Sequence, residues 1–220
     1  PDGILFFGEL GLDGSIRPVR GIIGLILAAR SYGIKSIVVP VGNLLQAQLV
    51  PGVTLYAFST LKDLYTHFAG TTPLPAIETQ EGAYDASGSS VHCAVDSADV
   101  VGQERAKRAL LIAAAGGHNV LLNGPPGMGK SMLAKTLPGL LPTLTHEEAL
   151  QITHLHSLGS QEVSSVISAR PFRSPHHSAS DVSIVGGGQH PRPGEITMAH
   201  GGVLFLDELP EFRRPTIEAL

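Results

Sequence analysis

Residues 124–131 have the spacing of a loop that binds phosphate groups. They read Gly-Pro-Pro-Gly-Met-Gly-Lys-Ser and match the pattern G-x-x-x-x-G-K-[ST] at every fixed position. Glycines let backbone N–H groups point at phosphate oxygens, and a following helix adds its positive end. We predict that Lys130 reaches the β- and γ-phosphates of a nucleotide and that Ser131 places its hydroxyl on Mg²⁺. A strand pattern before the loop and a helix pattern after it disfavour the alternative, an ordinary turn followed by a chance Lys-Ser.

Two carboxylates form the second half of this predicted site. The apolar run 203–206 reads as a buried strand, and Asp207 and Glu208 follow it directly. A buried strand would hold Asp207 rigidly, so that it binds the metal directly or through water, while Glu208 polarises the attacking water. On its own the pattern slightly favours a strand that enters a solvated turn. Together with the phosphate loop it predicts ATP hydrolysis, with Lys130 and Glu208 as catalytic residues. The residues predicted to bind the nucleotide in the loop are Gly124, Pro125, Pro126, Gly127, Met128, Gly129, Lys130, Ser131 and Met132.

Histidines and arginines suggest two further sites. The pairs His154/His156 and His176/His177 lack the third ligand, cysteines or H-E-x-x-H helix that zinc sites need, so we predict Mg²⁺ as the only metal. The loop-rich stretch 157–202 carries basic side chains that could contact the phosphates of a nucleic acid or of a neighbouring subunit's nucleotide. Solvated loop charges are the alternative. The residues concerned are Arg170, Arg173, Arg192, His176, His177, His190 and His200.

The composition limits the class of protein. A chain of 220 residues and 23.0 kDa allows one large domain or two small ones, and 43% hydrophobic residues can form a core. A net charge of -4 excludes a protein that coats nucleic acid by bulk charge. The only cysteine, Cys93, has no intramolecular disulfide partner, which fits the cytoplasm. The apolar stretch 21–29 is much shorter than the ~20 residues of a membrane helix, so no membrane partner is expected.

Two α/β regions must position these residues. In residues 1–68 the pattern predicts an Asp13-Gly14 turn, a helix that ends at Gly33 and a capping box at Thr60. The predicted strands cover 4–10, 37–39 and 53–57, and the predicted helices cover 21–32, a short segment opened by Asn43 as N-cap, and 60–68. Residues 69–95 are rich in Gly, Pro, Ser and Thr and predict a linker, with a functional loop as the alternative.

The second region, 96–220, contains both halves of the predicted nucleotide site. Thr145 and Glu148 have the spacing of a capping box. Helices are predicted over 103–115, over 132–137 and from Thr145 towards His154, and strands over 119–122 and 203–206.

This region resembles an AAA+ ATPase of the magnesium-chelatase-like group, and most specifically the ComM/YifB family. The resemblance rests on strings far more specific than the phosphate loop, namely 101–110, 117–122, 170–178, 191–196 and 199–212. It implies that Val101, Gly102 and Gln103 border the adenine, that the cofactors are ATP and Mg²⁺, and that subunits form a hexameric ring. In that ring the stretch 157–202 would face a central pore.

Residues 8–19 and 28–35 resemble the C-terminal domain of Lon-type proteases. The catalytic lysine of that domain would fall near Ile23, where this sequence has no lysine, and its serine would precede Pro1. The resemblance therefore implies a non-proteolytic module that touches DNA or supports assembly. The expected organisation is a small Lon-like α/β domain truncated at its N-terminus, a linker, and an AAA+ domain with a parallel sheet, truncated after Glu208.

The implied function is an ATP-driven motor that acts on DNA, as a helicase or branch-migration factor in DNA uptake. The alternatives are a motor subunit of a magnesium chelatase, which the Lon-like region disfavours, and a nucleotide-binding interaction module without turnover. We expect the isolated chain to bind ATP weakly with negligible turnover, because the sensor-1 strand, the trans-acting arginine and the helical lid would follow residue 220.

Overall fold

The computed structural model describes residues 3–79, 95–159, 165–189 and 191–220. Cys93, His190 and most of the predicted linker lie outside the described residues. The chain divides into two compact units: the first contains Pro1–Tyr84 and Thr153–Val166, the second Asp85–Ile152 and Ile167–Leu220. In the described part of the chain, no helix is both long and apolar enough to span a membrane.

A four-stranded sheet organises the first unit. Its strand order is β1-β4-β5-β6, with the first three strands parallel and β6 antiparallel to β5. A separate hairpin pairs β2 with β3. The strands are β1 (Ile4–Phe6), β2 (Glu9–Leu10), β3 (Ile16–Arg17), β4 (Ser36–Pro40), β5 (Thr54–Phe58) and β6 (Ala76–Glu78), and the helices are α1 (Ile22–Ser31), α2 (Leu44–Ala47) and α3 (Leu61–Phe68).

The core of the first unit lies between α1 and the parallel strands. Ile22, Ile23 and Ile26 of α1 are fully buried and belong to the same apolar cluster as Ile37 and Leu55 of the sheet. Strands that are covered in this way read as continuous apolar runs, which is why the pattern predicted them. The alternation of strands and helices predicted for this region is confirmed.

Local signals in the first unit are mostly confirmed. The turn at Asp13-Gly14 joins β2 to β3, and α1 ends before Gly33, whose φ is +79°. Thr60 and Asp63 form the predicted capping box. The prediction for Asn43 is only half right, because its side chain does not cap α2: it accepts from the Val19 N–H at 2.8 Å and donates to the Val19 carbonyl at 2.9 Å.

The sequence analysis missed one strand of this sheet. β6 lies within the segment predicted as linker, and Leu55 is the register partner of Ile77. A strand of three residues at the sheet edge has too few positions for a readable alternation. Its pairing with β5 depends on contacts that are distant in sequence.

The second unit combines helices with two short pairs of strands, as a mixed α/β unit. β7 and β10 are parallel, so the predicted strand over 203–206 exists but is shorter, and β8 pairs with β9 in a hairpin. Its helices are α4 (Glu104–Gly116), α5 (Lys130–Leu140), α6 (His146–Ser157), which continues into the first unit, α7 (Asp181–Val185), α8 (Glu195–Met198) and α9 (Arg214–Glu218), and its strands are β7 (Phe172–Arg173), β8 (Gly186–Gly187), β9 (Arg192–Pro193) and β10 (Val203–Leu204).

The strand predicted over 119–122 is not formed. Within the described ranges no strand pairs with this segment, and Leu121 is 80% exposed. An extended apolar segment becomes a strand only when a neighbour supplies hydrogen bonds to its backbone.

The capping box at Thr145 and Glu148 is confirmed, with their reciprocal bonds at 3.2 and 2.8 Å.

Candidate functional site

The loop 124–131 borders open space at its glycines. Gly127 and Gly129 have φ values of +78° and +77°, in the left-handed region that favours glycine. A Cβ atom at Gly124, Gly127 or Gly129 would meet no atom within 4 Å, so the space beside these three glycines is open. The eleven-residue helix α5 begins directly after Gly129. Open backbone at a helix N-terminus fits a phosphate group.

Lys130 lies against the same loop. Its Nζ donates hydrogen bonds to the carbonyl oxygens of Gly124 and Pro125, each at 2.8 Å. These bonds keep the ammonium group at the loop rather than extended into solvent. Its positive charge would complement the charge of a phosphate group bound there.

Ser131 and Asp207 meet although 76 positions separate them. The Ser131 hydroxyl donates to Oδ2 of Asp207 at 3.0 Å. Ser131 is in the first turn of α5, and Asp207 follows β10. A hydroxyl and a carboxylate are hard oxygen ligands, the type that Mg²⁺ prefers. The donor set therefore fits the predicted metal.

Two residues at the site have unusual backbone conformations. Among the described residues, Gln103 (φ 60°) and Glu208 (φ 55°) are the non-glycine residues with positive φ. The Gln103 side chain donates to the Met128 carbonyl at 3.3 Å, which connects the segment predicted to border the adenine with the phosphate loop. Such conformations cost about 1 kcal/mol or more and cluster at functional sites.

The other predicted nucleotide-binding residues are accessible. Val101 is 94% exposed, and Gly102, Pro125, Pro126 and Met132 are also on the surface. A surface location is compatible with ligand contact. It does not assign these residues a role.

His177, predicted from the sequence only as a contact for a nucleic acid or for a neighbouring subunit's nucleotide, lies beside Glu208 at this site. Its Nδ1 lies 3.4 Å from Oε2 of Glu208. Together with Pro210 and Glu211 these residues line an open cleft of about 440 Å³. No motif links positions 31 residues apart, so only the alignment of β7 with β10 could have indicated this contact.

Two family models match this chain, one in each of the two regions distinguished in the sequence. A family model described as magnesium chelatase, subunit ChlI, matches residues 96–220, and one described as subunit ChlI of Mg-chelatase matches residues 2–43. The chain belongs to the magnesium-chelatase-like ComM/YifB family. The resemblance noted in the sequence is thereby confirmed, as is the α/β fold class.

Three relatives of this family match nearly the whole chain. Competence protein ComM of Haemophilus influenzae is 46% identical over 98% of this chain and 42% of its own length. YifB of Escherichia coli is 46% identical over 97% of this chain and 41% of its own, and an uncharacterized protein of Mycobacterium tuberculosis is 44% identical over 100% and 43%. The chain thus spans about two fifths of the length of these relatives.

Similarity to a Lon protease covers a smaller part. Lon protease 2 of Bacillus subtilis is 33% identical over 131 residues, which are 51% of this chain and 22% of that protein. At the position where the resemblance would place a lysine, this chain has Ile23, which is completely buried in the first unit. This position contributes to packing.

Two of the arginines predicted to contact phosphates have partners within this chain. Arg170 donates from Nε to the Pro142 carbonyl at 2.5 Å and from Nη1 to the Gly201 carbonyl at 2.6 Å. Arg173 forms two hydrogen bonds to the Glu195 carboxylate, at 2.5 and 2.6 Å, and these raise the pKa of its guanidinium. Arg170 and Arg173 are thus bonded within the protein, whereas Arg192 is exposed, and a contact of these arginines with phosphate groups stays a prediction.

The histidine pairs occupy different surroundings. His154 lies against Gly24 of α1, where a Cβ atom would contact its ring, and burial lowers its pKa. His156 is buried, and the rings of His176 and His177 pack at 4.1 Å. Within the ranges that the structure describes, no three His, Cys, Asp or Glu side chains form a group that could hold a metal ion.

Proposed function

We propose that this chain is the ATP-binding and ATP-hydrolysing part of a ComM-type motor that forms a hexameric ring and acts on branched DNA in the cytoplasm. The observation that carries the proposal is the contact between Ser131 and Asp207, because it joins the phosphate loop to the carboxylates after β10. Membership of the magnesium-chelatase-like AAA+ family supports an ATPase. The name of the Haemophilus relative, a competence protein, supports a role in DNA uptake.

Each side chain has a defined task in this proposal. The loop N–H groups and Lys130 bind the phosphates, and Ser131 and Asp207 hold the metal. When bound, Mg²⁺ and ATP supply the metal charge and the phosphoryl group that is transferred to water. The Glu208 carboxylate orients this water and accepts its proton. Val101, Gly102 and Gln103 border the adenine, and Gly124–Met132 surround the phosphates.

The decisive test uses the full-length protein. We expect ATP hydrolysis that branched DNA stimulates, together with displacement of a strand from that DNA. Glu208→Gln should still bind ATP but lower turnover by about 10²–10⁴-fold, the usual contribution of a general base. Lys130→Ala should weaken nucleotide binding, whereas Lys135→Ala, on an exposed position of the same helix, serves as the control. The proposal fails if the protein neither hydrolyses ATP in response to DNA nor displaces a strand.

A chelatase motor subunit is the second candidate, because the matching family models are described as chelatase subunits. It predicts that a chelatase partner and a porphyrin stimulate hydrolysis and that DNA does not. Both candidates predict weak ATP binding and negligible turnover for residues 1–220 alone. Rapid hydrolysis by this chain alone would contradict that expectation.

A further inference from the structure

Glu208 needs a partner that orders its side chain. The side chain is 67% exposed, and the bond from its backbone N–H to Oδ1 of Asp207, at 3.1 Å, leaves the carboxylate free to rotate. An exposed glutamate samples several rotamers, which costs free energy when one must be selected. Proton transfer requires the carboxylate at a defined place, and small misplacements reduce rates strongly. A neighbouring group that orients the carboxylate would therefore accelerate hydrolysis.

His177 is located where such a group is needed. Its Nδ1 lies 3.4 Å from Oε2 of Glu208, slightly longer than a formed hydrogen bond. Its side chain is 31% exposed, less than half as exposed as that of Glu208. The more buried His177 side chain can thus restrict the rotation of the more exposed Glu208 carboxylate.

The register of the parallel strands produces this pairing. Arg173 of β7 is the partner of Leu204 in β10, and the Phe205 N–H donates to the Arg173 carbonyl at 2.8 Å. His177 and Glu208 each follow this register pair by four residues. Since parallel strands end at the same edge of a sheet, the two side chains emerge side by side. The contact is built into the fold of this unit.

Ring packing holds His177 in place. Its ring makes an edge contact with Phe212, which is buried, at 6.4 Å between centroids and 83° between planes. The His177 ring also packs against the ring of His176. The Nδ1 atom of His176 accepts from the Ser178 N–H at 3.2 Å and lies 2.8 Å from the Ser178 hydroxyl. His176 is therefore engaged elsewhere, and the nitrogen that faces Glu208 belongs to His177.

We propose that His177 is a positioning residue for Glu208. Its ring N–H donates to the carboxylate and holds it in the orientation that accepts a proton from the attacking water. This inference rests on the proposed ATPase activity of the same site. The role requires an N–H at the Nδ1 position and does not require a charge, so an asparagine amide should replace it.

The test compares three variants of the full-length protein in ATP hydrolysis. His177→Phe keeps an aromatic ring beside Phe212 and removes the nitrogen, and we expect kcat to fall about ten- to a hundredfold with KM for ATP within twofold of the original. His177→Asn should recover most of the lost kcat. Glu211→Gln, on the same cleft, is the matched control and should leave kcat unchanged.

The outcomes separate this inference from the proposed function. An unmodified protein without ATPase activity would refute the proposed function. An active protein in which His177→Phe keeps its full kcat would refute only the positioning role. Equal losses in the Phe and Asn variants would also overturn it, because they would indicate that an N–H donor at this position does not restore the activity. A fall in kcat that asparagine restores supports it.

Discussion

The two units of this chain differ in their buried apolar clusters and in their polar contacts. In the first unit, ten buried residues form one apolar cluster between α1 and the sheet. In the second unit, the apolar cluster with members in α4 and α5 contains three buried residues, Val100, Leu110 and Leu133. The polar contacts that join distant segments near the loop lie in the second unit, for example between Ser131 and Asp207. The described contacts of the first unit are thus mainly apolar packing, whereas in the second unit polar side chains from distant segments meet at the proposed nucleotide site.

The strongest test of this contrast introduces a lysine at Ile23. We expect Ile23→Lys to destabilise the chain by at least about 4 kcal/mol, because a fully buried lysine shifts its pKa by about 3–5 units, each worth about 1.4 kcal/mol. Ile23→Val should cost only about 0.5–1.5 kcal/mol. Denaturant unfolding followed by circular dichroism measures both. If the chain tolerates the lysine without this loss of stability, the apolar cluster around Ile23 is not what stabilises the first unit.

The second test removes the link between the two halves of the site. Ser131→Ala should lower Mg²⁺-dependent ATP turnover of the full-length protein at least tenfold, because one oxygen ligand is lost. Ser131→Thr keeps the hydroxyl and should remain active. Stability should change little in either variant, since Ser131 is not part of the buried cluster. A large stability loss with unchanged turnover would reverse the assignment of chemistry to this unit.

A third test distinguishes two arginines within the second unit. Arg173→Ala leaves the Glu195 carboxylate without its two hydrogen bonds and should destabilise the chain by about 1–3 kcal/mol. Arg192→Ala, at an exposed position, should change stability by less than about 0.5 kcal/mol. If DNA contacts Arg192, this variant should also reduce the salt dependence of DNA binding by about one unit of slope. Thermal unfolding and DNA titrations at several salt concentrations measure these effects.

The smallest expected effect is a pH dependence in the first unit. Burial lowers the pKa of His154 below its ordinary value of 6.5, so the folded chain binds fewer protons than the unfolded chain near that pH. Stability should therefore be complete above pH 6.5 and decrease as the pH falls through the lowered pKa. His154→Gln should flatten this part of the curve, and His118→Gln, at an exposed position, should not. Equal slopes in all three proteins would contradict the prediction.

Local signals predicted the elements well where the cause is local. The capping boxes at Thr60 and Thr145 depend on residues three positions apart, and the Asp13-Gly14 turn depends on adjacent ones. Predictions failed where a partner is distant. The Asn43 amide bonds to Val19 and does not cap α2, and residues 119–122 find no paired strand in the described part of the chain.

The sequence by itself determined the family and the α/β class, and it predicted the phosphate loop, because contiguous residues carry those signals. Only the tertiary structure decided which polar groups meet. It brings Ser131 to Asp207 and His177 to Glu208, and it engages Arg173 with Glu195. The physical reason is that such contacts depend on strand register and burial, which arise only when segments far apart in the chain pack together.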